Sequence, residues 1–419
     1  MSSHPSPHDV AVIGAGLAGL RAATLLARAG RDVVVLDAGD VVGGRQRTDR
    51  IDGFLIDRGF QVVNPRYDAL ARAVDLAELD LRAFPVGVRV VRGGRDAVLA
   101  HPLRHPELLP ATLAALPGLV SPSDLAGALR WIVPALVRPG SVAAGPDDTL
   151  HRRWDAAGLT GDLRRSVLEP FLTGVLADDG STTSNAYAAL VTRLFALGRP
   201  GVPAGGVAAL PHQLARRARS AGAGIRLSSA VAALDIRLDR VDLAVVGDDT
   251  VSAREVVVAV GPERVAGLID LPAPPTRGLQ SWWFAADDAP TTALLTVDGD
   301  RSGPVVNTVV MTRTVPTYAP AGRHLIAASC LLPGSGPAPT EADVREHLAR
   351  LWGAAARTWS LIRRDDLPNA LPAFGPPLRH PSPARLSERV VVAGDHRETP
   401  SIAGALVSGE RAAATILAR

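Results

Sequence analysis

Val10-Ala11-Val12-Ile13-Gly14-Ala15-Gly16-Leu17-Ala18-Gly19 is the stretch on which the fold turns. The apolar run Val10 to Ile13 has strand character and enters a glycine turn. A helical pattern follows through Leu20, Ala23, Leu26 and Ala27 and stops at Gly30. Asp32 to Leu36 reads as a second buried strand, and Asp37 follows it, 23 residues after the first glycine. Strand, glycine turn, helix, strand and acid together are the βαβ fingerprint of dinucleotide binding. Each part has a physical reason. Gly14 permits the tight turn, Gly16 lets backbone approach a pyrophosphate, and Gly19 lets helix and strand pack closely. The helix start offers unpaired N–H groups and a positive dipole end to phosphate. Asp37, beside Ala38, is placed to accept hydrogen bonds from a ribose diol.

Six residues past Asp37 come Gly43-Gly44-Arg45, then Arg47-Thr48, then Gly53-Phe54-Leu55-Ile56-Asp57-Arg58-Gly59-Phe60-Gln61-Val62. A guanidinium in such a turn gives two parallel hydrogen bonds to phosphate oxygens. Near residue 390 the chain offers another buried strand, Arg389 to Ala393, ending in Gly394-Asp395. After a short loop comes Ser401-Ile402-Ala403-Gly404-Ala405-Leu406-Val407-Ser408-Gly409-Glu410-Arg411-Ala412-Ala413. With these motifs the chain resembles the FAD-dependent oxidoreductases grouped as flavin amine oxidases, phytoene desaturases and protoporphyrinogen oxidases.

The resemblance implies an α/β fold. A Rossmann-like FAD-binding domain of parallel sheet (GR2-type) would be interleaved with an α+β substrate domain. It implies non-covalent FAD, with Arg45 meeting the phosphates and Asp57 and Gly59 to Val62 passing along the isoalloxazine. Val231, after the helix opened by Pro203-Ala204-Gly205-Gly206, would touch the adenine with its backbone. Gly394 and Asp395 would meet the ribityl or phosphate region. The helix starting near Ser401, with Ile402 and Ala405, would aim its amino terminus at the flavin pyrimidine, where the dipole favours negative charge.

Periodicity organises the rest. Val207, Leu210, Leu214 and Ala218 recur at helical spacing. Ile225–Leu227, Ser228–Ile236, Val241–Val246 and Glu255–Val260 read as extended segments returning the chain to the nucleotide domain. From Phe84 to about Pro200 a proline- and leucine-rich texture predicts a mostly helical insert. Beyond 270, Thr292–Val297, Val305–Met311 and His324–Leu332 read as strands of a mixed or antiparallel sheet, with a helix over Asp343–Trp352. The expected division is residues 1–83, 201–270 and 385–419 for the FAD-binding domain, and 84–200 and 271–384 for the substrate domain.

Composition narrows the class. With 47% hydrophobic and 21% charged residues the chain can bury a large core, which excludes a disordered or fibrous protein. Its 45 basic residues are all arginine, scattered against 42 acids, which disfavours a nucleic-acid binder. Arg216, Arg217 and Arg219 fit the wet side of a helix. One cysteine, Cys330, allows no intrachain disulfide and no cysteine-based zinc site, and reads as a small buried hydrophobe. Residues 1–8 read as a loose tail without a leader's apolar stretch. The apolar region from Leu108 to Val137 is broken by prolines and charges, so no transmembrane span is expected. The expectation is a cytoplasmic enzyme of small molecules, with contact at a membrane surface left open.

The reaction stays open between classes. In the amine oxidase branch a lysine holds a water at the flavin and aromatic residues cage the amine. This chain has no lysine and three tyrosines, Tyr67, Tyr187 and Tyr318, with Phe374 the one aromatic just upstream of Gly394. Oxygen activation would then need another cation, with His396 or Arg397 as candidates. The leading reading is desaturase-like removal of a hydride from an apolar or weakly polar molecule, with Trp282, Trp283, Phe171 and Phe374 as candidate pocket residues. A flavin amine oxidase, a non-redox flavin-dependent isomerase and a protein that keeps FAD as a relic are the alternatives. Glu169, His212 and His396 are the candidate bases, and no catalytic residue is assigned.

Overall fold

The computed structural model describes residues 6–247, 249–378 and 382–419. In chain order, β1 (His8–Ile13), α1 (Leu17–Arg28) and β2 (Val33–Leu36) precede a hairpin of β3 (Thr48–Ile51) and β4 (Phe54–Asp57). Next come α2 (Asp68–Ala73), β5 (Leu81–Ala83) and a second hairpin, β6 (Gly87–Arg92) and β7 (Arg95–Ala100). A helical run follows: α3 (Leu109–Leu119), α4 (Pro122–Val137), α5 (Pro139–Ala144), α6 (Leu150–Ala157), α7 (Glu169–Leu176) and α8 (Asn185–Leu197). Then come β8 (Gly201–Pro203), α9 (Ala209–Ser220), β9 (Gly224–Arg226), β10 (Val231–Ile236), β11 (Val241–Val245), β12 (Asp249–Val258) and α10 (Pro262–Val265). Four strands, β13 (Thr276–Ala286), β14 (Leu295–Asp298), β15 (Val305–Val310) and β16 (His324–Leu332), lead to α11 (Glu341–Trp352) and β17 (Ser360–Pro372). The last elements are β18 (Val390–Val392) and α12 (Ile402–Leu417).

The first sheet runs β10-β11-β12-β1-β2-β9, with β18 beside the second half of β12. Around β1 the pairing is parallel: Val12 sits opposite Val257 on one side and Val35 on the other. Strand alternation distributes its apolar residues to two faces. Val10, Val12, Val33 and Val35 pack under α1, α9 and α12. Ala11, Ile13, Val34 and Leu36 join Leu243 and Val251 on the opposite face. A strand buried on both faces has no polar alternation, which is why these runs read as continuous valine.

The second sheet, β17-β13-β16-β15-β14-β6-β7, is antiparallel except for the β14–β6 pair. Trp282 and Phe284 face α11 through Val344 and Leu348. Trp283 and Ala285 face the other way, against Phe54, Ile56 and Tyr318. Both tryptophans are therefore core residues, 1% and 0% exposed, and the expectation that they line a pocket is corrected.

The insert also differs from expectation at its start. Residues 87–100 form a hairpin joined to the second sheet before any helix begins. Its turn, Gly93-Gly94, has both φ values positive, 54° and 70°, the conformation a two-residue hairpin requires. The helix after Gly206 begins two residues later than Val207, at Ala209. His8 already belongs to β1 and pairs with Asp32, while the first five residues of the expected tail lie outside the described region. Cys330 is buried in the second sheet's core, as its size suggested, and burial pushes its thiol up to about 12. On α4 the inner face buries Trp131 and Ala135, while Leu125, Leu129, Val133 and Val137 form an exposed stripe; Leu109 and Leu113 on α3 are exposed as well. No helix among the described residues is long and apolar enough to cross a membrane.

Candidate functional site: a nucleotide crevice closed by distant turns

The site is assembled where β1 and β18 end. Gly14 leaves β1 with φ 108°, and a Cβ there would run into the Ala259 carbonyl. A Cβ on Gly19 would overlap the Gly14 carbonyl, so glycine alone lets α1 lie this close to the turn. Nothing lies within 4 Å of the Cβ direction of Gly16, which leaves room for a ligand. No side chain caps α1, so the amides of Leu17, Ala18 and Gly19 face that space without helical partners. Other helices here are capped by Ser or Thr, among them α4, α6, α8 and α11. The start of α1 has no such cap, and unpaired amides beside the open space at Gly16 suit an anion.

Asp37 braces the floor. Its Oδ2 accepts from Ala15 N at 2.6 Å and its Oδ1 from Gly39 N at 2.7 Å. A carboxylate has further lone pairs, so a ribose diol can still bond to it. Ala38 is exposed beside it. The backbone of Asp37 accepts from Ser229 N at 2.7 Å, which brings the start of β10, and with it Val231, alongside the acid.

The second turn arrives from the side. Gly43 N donates to Ala15 O at 2.9 Å, tying the Gly43-Gly44-Arg45 turn to the first. Arg45 Nη2 reaches Asp395 Oδ1 at 2.5 Å, and its Nη1 donates to Ala370 O at 3.0 Å. Burial opposes the arginine's charge, and Asp395 more than restores it. Two residues 350 apart in the chain thus meet at the crevice. Gln61 Nε2 donates to Arg45 O at 2.9 Å, so the loop Gly59-Phe60-Gln61-Val62 is held against the same turn. Phe60 and Val62 are partly buried and pack against the core cluster that holds Tyr318 and Phe84.

Behind Asp395, Gly394 N donates to Ser408 Oγ, and Ser401 caps α12 by accepting from Gly404 N at 3.0 Å. The amides of Ile402 and Ala403 remain outside the helix's own bonding, with Ala405 the first to donate to Ser401 O. Hydrogen bonds thus tie the first glycine turn, Asp37, the Gly43-Gly44-Arg45 turn, Gln61 and Asp395 to one another. A flat, doubly charged dinucleotide fits this donor set: open backbone at Gly16, free amides at both helix starts and one guanidinium.

Asp57 plays a different part from the expected one. It is 1% exposed and fully engaged. Oδ1 accepts from Thr48 Oγ1 at 2.6 Å and Val207 N at 3.1 Å, and Oδ2 accepts from Tyr318 OH at 2.8 Å. Burial pushes its carboxyl up to about 6 against the pull of those bonds. It is a pin between the β3–β4 hairpin, the approach to α9 and the turn that links β15 to β16.

The candidate bases and cations separate. Glu169 is held by Arg164 and Arg301 on the outer side of the insert. His212 lines a side groove of about 410 Å³ with Asp49, Glu78 and Arg216, away from the crevice. His396 is at the crevice, but burial pushes its imidazole down to about 4, so it is neutral near pH 7 and is no cation for oxygen. Arg397 turns its Nη2 to Pro383 O. One contact had no sequence signal: Tyr187 of α8 donates to Pro400 O at 2.9 Å and stacks edge-on with Phe374 at 5.4 Å. The insert thereby touches the turn that precedes α12.

Residues 17–417 match the family model described as "Flavin containing amine oxidoreductase", and the chain belongs to that family. Its cofactor is the flavin FAD. The "Putative flavin-containing monoamine oxidase AofH" of Mycobacterium tuberculosis is 34% identical over 165 residues, 39% of this chain and 34% of that protein. "Hydroxyneurosporene desaturase" of Rubrivivax gelatinosus is 39% identical over 84 residues, 19% of this chain and 16% of that protein. The chain thus spans about a third or less of the length of these curated relatives. An oxidoreductase structure from Methanosarcina mazei superposes with a TM-score of 0.75 at 17% identity, over 98% of this chain and 100% of that one. That likeness shows the FAD-dependent amine oxidase fold, with a Rossmann-like α/β domain.

Proposed function

We propose that the protein is an FAD-dependent oxidoreductase that removes a hydride from an apolar or weakly polar small molecule, as a desaturase does. The observation that carries this reading is the apolar insert at the crevice. Tyr187 and Phe374, with Phe171 and Phe195 in the same cluster, come up against the 394–401 turn. The candidate bases Glu169 and His212 lie elsewhere, and the chain has no lysine. Abstraction of hydride from an apolar carbon needs no such base.

Bound FAD supplies the two-electron sink for this chemistry. The chain's own residues bind and orient it. Leu17, Ala18 and Gly19 amides and Arg45 hold the pyrophosphate, Asp37 the adenosine ribose, and Val231 borders the adenine. Gly394 and Asp395 meet the ribityl stretch, and Gly59 and Gln61 border the ring. The free amides of Ile402 and Ala403 favour negative charge building on the pyrimidine. In this reading residues 1–83, 201–270 and 385–419 form the FAD-binding domain, and 84–200 and 271–384 the substrate domain. The exposed apolar residues on α3 and α4, flanked by Arg130 and Arg138, would rest on a lipid surface from which an apolar substrate is drawn.

A second reading, amine oxidation, is favoured by the monoamine oxidase relative. Anaerobic mixing of the FAD-loaded protein with a polyprenoid in detergent, and separately with primary amines, decides between them. Flavin bleaching by the polyprenoid supports the proposal; bleaching by amines alone overturns it.

A further inference from the structure

One face of the second sheet carries a row of polar side chains. Strand pairing sets Ser281 of β13 opposite Ser329 of β16, and Ser329 opposite Asn307 of β15. Two residues along on the same face, Trp283, Ala327 and Val309 are packed with Phe54 and Ile56. Two residues the other way on β13 and β16 come Leu279 and Leu331, with Leu367 of β17 opposite Leu279. These three leucines are only partly buried, so the face is closed on one side of the polar row and open on the other.

Three elements bound the open part. Over β17, a Cβ on Gly59 would stand 3.1 Å from Leu367 Cδ1, which places the Gly59–Val62 loop on this face. Over β15 lies α7, where a Cβ on Gly174 would overlap the Asn307 amide nitrogen. Gly174 and Phe171, about one helical turn apart, are both partly exposed. Beyond the leucines, Arg277 donates to Leu176 O and pairs with Asp178, which ties the end of α7 to β13. Asn307 and Ser329 are each 6% exposed. Among the described residues neither side chain has a hydrogen-bond partner, and neither is sealed off as the Ser281 hydroxyl is. Buried polar groups are rarely left unpaired, and adjacent ones beside a partly open apolar surface point to a ligand.

We propose that Asn307 and Ser329 determine specificity by binding a neutral hydroxyl or carbonyl group of the substrate, whose apolar remainder lies over Leu279, Leu331 and Leu367. This deepens the reading of a weakly polar substrate oxidised at a flavin beside Gly59, and rests on it. An amide and a hydroxyl can each donate and accept, and neither is charged. The charged groups nearby are already paired: Asp365, opposite Ser281, with Arg363, and Arg277 with Asp178. A neutral polar group therefore suits the row better than an ammonium or a carboxylate.

The FAD-loaded protein is titrated in detergent with a long-chain polyprenol and with the hydrocarbon of the same skeleton, following the shift in the flavin spectrum. The quantity read is the ratio of the two dissociation constants, in which changes in apolar contact largely cancel. Asn307→Leu and Ser329→Ala should each lower the preference for the alcohol about fivefold, the worth of one neutral hydrogen bond. Gly174→Ala crowds the amide nitrogen and should lower it as well, with residue 307 unchanged. FAD affinity should stay at the wild-type value in all three, and Ser329→Ala should melt no lower than wild type, because an unpaired hydroxyl has gone. Equal affinity of the wild type for both compounds, or a preference that all three variants keep, overturns the proposal. Anaerobic bleaching tests the underlying reading separately. An alcohol bound with the expected preference that never bleaches the flavin overturns hydride removal and supports the polar row.

Discussion

Asp57 offers a quantitative test of how the β3–β4 hairpin is pinned to the turn between β15 and β16. Its carboxyl titrates near 6 in the folded protein, whereas a free aspartate titrates at 3.8. Between those values the folded state holds a proton that the unfolded chain releases. The group's stabilising contribution is therefore complete below the unfolded value and is lost as pH rises through about 6. Two pKa units correspond to about 3 kcal/mol, of which about 1.5 kcal/mol falls between pH 5 and 7.5. Asp57→Asn cannot titrate, and its carboxamide can still accept from Thr48 and Val207 N while offering a donor to Tyr318 OH. Urea unfolding of wild-type and Asp57→Asn apoproteins at pH 5 and 7.5 isolates the effect, since other carboxylates cancel in the difference. The variant should gain about 1.5 kcal/mol relative to wild type on going from the lower to the higher pH. Equal pH slopes for the two proteins would show that Asp57 is not held in the dry, fully bonded setting described.

Other expectations concern the crevice and the surface. Asp37→Ala and Arg45→Ala should each weaken FAD binding, by roughly 1.5–3 kcal/mol for a lost charge-assisted hydrogen bond, as measured by fluorescence titration. Unchanged flavin occupancy in both would place the cofactor elsewhere. Cys330 should stay silent to a thiol-reactive dye at pH 8 and react only at the rate of unfolding, because its thiol is buried and held up to about 12. Leu129→Ser with Val133→Ser should reduce cosedimentation with anionic vesicles and leave FAD affinity unchanged; undiminished sedimentation would remove the stripe from the surface contact.

The first βαβ unit was legible because every part of it is local. Gly14, Gly16, Gly19 and Asp37 are spaced by the geometry of one strand, one turn and one helix. The α12 start was equally plain, as Ser401 and Gly404 form a cap within four residues. Long-range matters were not legible. Trp282 and Trp283 are adjacent, and only the pairing of β13 with β16 and β17 shows that they point into two different cores. Asp57 has the same neighbours whether it borders a flavin or pins Tyr318, 261 residues away. The Gly93-Gly94 hairpin did carry a signal, a two-residue glycine turn between alternating valines, which the surrounding leucines and prolines masked. Residue type alone made His396 a candidate cation; burial, which depends on tertiary packing, removed its charge.

The interleaving of the two sheets sets the order in which the protein can be completed during synthesis. Arg21 of α1, 5% exposed, is matched by Glu410 of α12, 389 residues later, and Val256–Val258 of β12 await β18. A nascent chain ending anywhere before residue 390 presents α1 with a lone guanidinium and an uncovered apolar side, features that invite chaperones or aggregation. Such a chain could offer FAD the free amides of α1 and the Arg45 turn, but neither Asp395 nor the α12 start. The crevice is thus complete only once β18 and α12 are in place.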